Sequence, residues 1–257
     1  VPVGGIPMLE RVIIKLRDEG FCRIVVNVHH FAGQVKDFLS NRSFGVEIAV
    51  SDESESLLDT GGAIVKAAPL FGDDSGPILV HNVDIISNAD LSSLSDIHKG
   101  RNADVTLLTS GRESSRRLLF DVRNNLRGWH NRNTGEFRPE TSASLSGLTE
   151  HAFSGIYMVS AHGVADIRRY ARESGREAFP VMDWLLAGVL QVVLPLDDLF
   201  LADGLSGQPG GEVRYVVQVL ADSGRLAFVF PQVPAESGDL LCGDSSGHKH
   251  IPPEPTK

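Results

Sequence analysis

The sequence predicts an α/β protein built on a doubly wound, mostly parallel sheet. Three observations carry that expectation. Short, almost continuously apolar runs such as CRIVVNV (22–28) and ILVHN (78–82) have the composition of strands buried on both faces. Segments with apolar residues at helical spacing separate these runs. Strands alternating with helices over the first hundred or so residues imply crossover connections, which join parallel neighbours.

The chain opens VPVGGIPMLERVIIKLRDEG. Gly4 and Gly5 mark a turn, and Pro7 suits the first helical position. Leu9, Ile13 and Leu16 share a face, and Gly20 stands where a left-handed cap would end the helix. CRIVVNV follows as a strand. HFAGQVKDFLSN then places Phe31, Val35, Phe38 and Leu39 along one stripe. VEIAV (46–50) reads as the second strand, AIVKAAPLF as a short helix and ILVHN as the third strand. DLSSLSDIHKG is a helix with Leu91, Leu94 and Ile97 inward, and DVTLLTS (104–110) is the fourth strand. From residue 112 the pattern changes. RRLLFDVRNNLRGWHNRNTGEFRP reads as two strands around an Arg-Asn-Asn turn, a hairpin rather than a crossover. HAFSGIYMVS (151–160) is strand again, and HGVADIRRYARESG and FPVMDWLLAGVL are helices.

Past about Gly188 a Gly/Pro-rich loop, two apolar runs and a polar, Pro-rich end follow. The expected organisation is therefore one domain over 1–187 and an atypical, partly disordered segment over 188–257, in which VRYVVQVL and RLAFVF could pair across ADSG. The first helix poses a problem: in such a fold it crosses over from an earlier parallel strand, and the sequence shows none before it. A central gap would leave two strand edges unpaired. VRYVVQVL is a candidate to fill it.

Composition narrows the function. The 257 residues are 42% hydrophobic and 22% charged, ordinary for a globular protein with a full-sized core. A net charge of -9 argues against a general nucleic-acid or anionic-membrane binder, while leaving room for a local phosphate site. No apolar run reaches a membrane span and the N-terminus lacks a signal-peptide layout, so the expectation is a cytoplasmic protein. Cys22 and Cys242 are too few for a disulfide framework, and Cys22 reads as a small core residue.

The richest stretch for chemistry is ILVHNVDIIS. It puts Asn82 and Asp84 at the carboxyl end of a buried strand, the edge where open α/β sheets bind ligands. One carboxylate there, with substrate phosphates supplying the other oxygens, is how magnesium is usually held. The alternative is that Asp84 merely begins a turn before a helix cap at Asn88 or Asp90. In LLDTGGAIVKAA, Asp59 or Thr60 can cap a helix. Gly61 and Gly62 let first-turn amides face a nucleobase or phosphate, or simply form a glycine turn. Lys66 is then solvent-facing or a charge near the site. His29 and His30 point to opposite faces if they continue a strand, so they read as a polar rim rather than a metal pair. Arg116 and Arg117 read as an exposed basic edge, Trp129 as packing, and the HKH at 248–250 as solvated tail.

Taken in series, VPVGGIPMLERVI, LLDTGGAI, ILVHNVDI and AFSGIYMVS resemble the sugar-1-phosphate nucleotidyltransferases, over roughly residues 1–187. Within that family the chain looks closest to mannose-1-phosphate guanylyltransferase-like and N-acetylmuramate-1-phosphate uridylyltransferase-like enzymes. The resemblance implies a Rossmann-like fold and a reaction joining a nucleoside triphosphate to a sugar 1-phosphate with release of pyrophosphate. It also implies that Asp84 binds Mg2+ as the catalytic metal ligand. Asn82 and Thr60, Gly61 and Gly62 would serve the nucleotide, and Ser154, Gly155, Gly4 and Gly5 the sugar side of the cleft. No nucleic-acid or membrane partner is implied, and the oligomeric state leaves no mark. The family's first strand, its G-x-G-T-R phosphate loop and a Pro-Lys all precede the stretch that resembles VPVGG. Ile6 stands where a basic residue is common, and no D-V-G strand with a second metal-binding Asp follows Trp184. The change near Gly188 is what a frameshift or foreign end would look like. The expectation is thus impaired turnover by this chain. The rivals are a nucleotide-binding module without catalysis and a metal-dependent glycosyltransferase, although the latter usually shows D-x-D where this sequence has N-V-D.

Overall fold

A computed structural model describes residues 2–72, 76–139, 146–187, 193–197 and 214–219. Two short strands, β1 (Pro2–Val3) and β2 (Ile6–Pro7), pair antiparallel around Gly4 and Gly5. Both glycines have positive φ, 57° and 81°, a conformation that the tight turn requires and that glycine adopts without a steric penalty. Helix α1 (Met8–Asp18) starts after Pro7, which is its cap rather than its first residue, because Pro7 still pairs with Pro2.

The alternation then runs as the apolar pattern predicts. Strand β3 (Arg23–Val28), helix α2 (Ala32–Ser40), strand β4 (Glu47–Asp52) and helix α3 (Asp59–Ala67) are followed by a 3-10 turn at Ala68–Phe71. Next come β5 (Ile78–Asn82), α4 (Leu91–Gly100) and β6 (Val105–Ser110). Strands β7 (Arg116–Phe120) and β8 (Leu126–Asn131) form the expected hairpin, extended by β9 (Glu136–Arg138). The long β10 (Thr149–Val159), α5 (Ala161–Ser174) and α6 (Val181–Leu185) follow, then β11 (Val193–Asp197) and β12 (Arg214–Val219).

The main sheet has the order β4-β3-β12-β5-β10, and β10 continues along its other edge with β6 and then β7. The pairs β4–β3, β3–β12 and β12–β5 are parallel, as is β6–β11, whereas β10 is antiparallel to β5, β6 and β7. The sheet is therefore Rossmann-like on the β4 side and turns antiparallel at β10. The central gap raised by the first helix is closed by β12, which registers Arg214 to Val219 with Arg23 to Val28 on one edge and Arg214 to Gln218 with Ile78 to Asn82 on the other. Both segments described past residue 187 thus join the same sheet. The partner run RLAFVF, Cys242 and the HKH stretch lie outside the described residues.

Helices cover both faces. Leu9, Ile13 and Leu16 of α1, Val35 and Leu39 of α2 and Leu91 and Leu94 of α4 pack on Ile24, Val26, Val28, Leu79 and Met158. On the opposite face Ile64 and Ala67 of α3, Ile167 of α5 and Trp184 of α6 pack on Val25, Ile78, Val80, Leu107 and Tyr157. Each fully buried large aliphatic side chain contributes roughly 1.5–3 kcal/mol. Residues alternating along one strand divide between the two cores, which is why the strands read as continuous apolar runs.

Two expectations are corrected. Cys22 is exposed, because β3 begins one residue later and Cys22 still belongs to the entering loop. Arg117 is buried, because the second residue of β7 faces inward, and its Nη2 reaches Glu113 at 3.5 Å; only Arg116 lies on an exposed edge. Among the described residues, no helix is long and apolar enough to cross a membrane.

Candidate functional site

Strand β5 delivers the site. Its last residue, Asn82, is half-buried, and a turn follows in which the Ile85 N–H donates to the Asn82 carbonyl at 3.3 Å. Asp84 lies in that turn and is exposed. The cap of α4 is supplied by Asp90, whose Oδ1 accepts the Ser93 N–H at 2.9 Å, so Asp84 is not used to start the helix. It stands at the rim of a sheet whose parallel strands all end on this side.

Gly155 comes to the same place from β10. Its φ of +74° falls within the register break between Phe153 and Tyr157, and Ile156 pairs with His81. A Cβ added at Gly155 would lie 3.0 Å from Asn82 Nδ2 and 3.3 Å from Ile85 Cγ1. The strand can therefore approach the Asn82–Asp84 turn closely only with glycine here. Gly155 is thus brought beside Asn82, with Ser154 just before it on the same strand. His81, just before, is buried; its Nδ1–H donates to the Asn82 carbonyl at 2.8 Å, and burial pushes its pKa down to about 4. It is a neutral support under the turn.

The Thr60-Gly61-Gly62 stretch is placed differently from the sequence expectation for its amides. Asp59 adopts a left-handed φ of 60°, and its Oδ1 accepts the Thr60 N–H at 2.6 Å. The Gly61 N–H donates to the Phe179 carbonyl at 2.9 Å, and Thr60 Oγ1 accepts the Val181 N–H at 2.7 Å. A Cβ on Gly61 would collide with the Phe179 ring, and one on Gly62 with the Glu177 carbonyl. The first-turn amides of Thr60 and Gly61 are hence spent inside the protein, and the glycines let α3 press against residues 177–181. The glycine-turn alternative accounts for these contacts.

One buried group was not legible. Glu53, directly after β4, is fully buried; its Oε2 accepts the Leu58 N–H at 3.1 Å, and burial pushes its carboxyl up. It ties down the loop that leads into α3. In sequence it sits in SDESES, which is indistinguishable from a solvated loop. His29 Nδ1 bonds to the Glu53 carbonyl at 2.6 Å and His30 is exposed, so the pair does serve as a rim. Lys66 faces solvent on α3, and Trp129 packs against the second core with Arg138 over its ring at 5.4 Å. Among the described residues, no group of three or more His, Cys, Asp or Glu side chains is placed to hold a metal. A lone exposed carboxylate is the remaining kind of donor, and it suits magnesium that takes its other ligands from phosphate and water.

Part of the chain is similar to known proteins. Residues 1–118 match the family model described as Nucleotidyl transferase. The chain is 36% identical over 92 residues to an N-acetylmuramate alpha-1-phosphate uridylyltransferase of Neisseria meningitidis, covering 35% of this chain and 39% of that protein. It is 34% identical over 111 residues to the bifunctional protein GlmU of Geotalea uraniireducens, covering 42% of this chain and 23% of that one. The chain thus spans well under half the length of these relatives. In three dimensions it is similar to HddC from Yersinia pseudotuberculosis, with a TM-score of 0.60 at 21% identity over 77% of this chain and 79% of that chain. On these matches, residues 1–118 of the chain are similar to the nucleotidyl transferases, and the chain shares the fold of a solved neighbour.

Proposed function

We propose that this chain binds a nucleoside triphosphate and a sugar 1-phosphate across the carboxyl edge of its sheet and belongs to an enzyme that joins them, releasing pyrophosphate. The observation that supports this reading is the exposed Asp84, unused by the helix cap, in a turn whose flanking Asn82 and Ile85 lie against Gly155. Asp84 would hold Mg2+, which when bound supplies charge neutralisation to the phosphates. The chain's own residues position the reactants. Asn82 and the start of α3 at Thr60 would orient the nucleotide, with Gly61 and Gly62 fixing that helix on its support. Ser154 and Gly155, together with the Gly4-Gly5 turn, would orient the sugar phosphate for in-line attack of its oxygen on the α-phosphorus. Such transfer depends on positioning and electrostatics and asks little covalent work of the protein.

The 257 residues contain no G-x-G-T-R stretch, so a polypeptide of this sequence alone would turn over slowly for want of an amide cradle around the triphosphate. A pyrophosphate-release assay with a panel of nucleotides and sugar 1-phosphates tests the reading. Weak, magnesium-dependent release supports it. Nucleotide binding with no release would assign the chain to a non-catalytic nucleotide module, and near-normal turnover would refute the predicted impairment.

A further inference from the structure

Arg112 is held at the same sheet edge as Asp84, on the other side of β10. Strands β5 and β6 run in one direction, because both pair antiparallel with β10 and on opposite edges of it. Asp84 lies two residues past the end of β5 and Arg112 two residues past the end of β6. One strand separates them, about 10 Å across the sheet. The register sets Ser110 opposite Ala152 and His81 opposite Ile156, and the Arg112 side chain reaches back along β10 toward Asp84's level at Phe153. Between them β10 presents Phe153, Ser154 and Gly155.

The arginine is tethered to that strand. Its Nη2 donates to the Phe153 carbonyl at 3.2 Å, and its backbone N–H donates to Ser110 Oγ at 3.2 Å. Its neighbour Glu113 turns instead to Arg117 and Arg132, each at 3.5 Å. Among the described residues Arg112 has no carboxylate partner, although the protein carries a net charge of -9. A guanidinium anchored by one nitrogen keeps its other donors for a planar, bidentate contact with phosphate. It lies on the β6 side of β10, away from β4 and the loop that leads to α3.

We propose that Arg112 binds the phosphate of the sugar 1-phosphate, holding it across β10 from Asp84. The proposal rests on the nucleotidyltransferase reading and names a residue for it. Calorimetric titration of the full chain with glucose 1-phosphate, mannose 1-phosphate and N-acetylglucosamine 1-phosphate is the test, alongside magnesium–nucleotide titrations. The wild type binds at least one sugar phosphate. Arg112→Ala weakens that binding about tenfold or more, and Arg112→Lys by less, since a point charge replaces the fork. Arg123→Ala removes an equal charge from the exposed β7–β8 turn and leaves sugar-phosphate affinity within about twofold of wild type. Wild-type indifference to all three sugar phosphates, an unchanged Arg112→Ala, or equal weakening by both alanine variants overturns the proposal. Arg112-dependent binding in a chain that neither binds nucleotide nor releases pyrophosphate would refute the transferase reading while leaving the phosphate contact standing.

Discussion

Replacing Gly155 by alanine separates two costs that the structure predicts at the site. The first is conformational: φ is +74°, a region where an alanine is strained by about 1–2 kcal/mol. The second is steric, because the new Cβ meets Asn82 Nδ2 at 3.0 Å and Ile85 Cγ1 at 3.3 Å, tighter than ordinary contact. Overpacking of that kind costs typically about 1–3 kcal/mol more, unless the Asn82 amide swings aside. Gly147 offers a matched control, since its φ is +76° and a Cβ there meets nothing within 4 Å. Thermal unfolding of Gly155→Ala and Gly147→Ala reads the difference directly. The control should lose about 2–8 °C and Gly155→Ala several degrees more, at about 2–4 °C per kcal/mol for a domain of this size. If Asn82 yields, the stability gap narrows and nucleotide affinity falls in its place. Identical melting temperatures with unchanged nucleotide affinity would show that β10 does not press on the Asn82–Asp84 turn.

Two further outcomes follow from the same framework. His81 and His98 are buried, and burial pushes the pKa of each down to about 4, so the unfolded chain binds more protons than the folded one below about 6.5. Stability should therefore fall as pH drops from 6.5 toward 4, and urea midpoints of His81→Gln should flatten that slope. Glu53, raised by burial, works in the opposite sense and loses stability as pH rises through its folded pKa, so Glu53→Gln should steepen the fall; pH-independent midpoints would contradict the burial of these groups. Proline at Val217 removes a backbone donor from a strand flanked on both edges, costing about 3 kcal/mol or more, and hydrogen exchange should show β3 and β5 amides losing protection together. Unchanged protection would mean that 214–219 does not lie between those strands.

Much of this fold is written locally. ILVHN matches β5 residue for residue, and the other predicted strands agree within about two residues, because double-sided burial demands continuous apolar runs. The position of β12 is different. VRYVVQVL advertises a strand, but which two edges it joins is decided by contacts 191 and 136 residues away in sequence. The same holds for Gly61 and Gly62, whose reason lies in Phe179 and Glu177, and for Arg117, whose inward orientation depends on β7 register. The placement of Asn82 and Asp84 at the end of β5 was legible from the apolar run before them. Glu53 was not, since a buried carboxylate in a polar run has no periodic signature. Arg112 was equally silent, because its significance comes only from the strand that lies between it and Asp84.

The carboxylate at the end of β5 is most directly tested by magnesium dependence of nucleotide binding in wild type and Asp84→Asn. Calorimetry with a non-hydrolysable triphosphate should show wild-type affinity rising with magnesium and that gain lost, about tenfold or more, in the variant. Unfolding stability should stay within about 0.5 kcal/mol, since Asp84 is exposed and caps no helix. A variant that keeps the full magnesium-dependent gain would place the metal and the phosphates elsewhere.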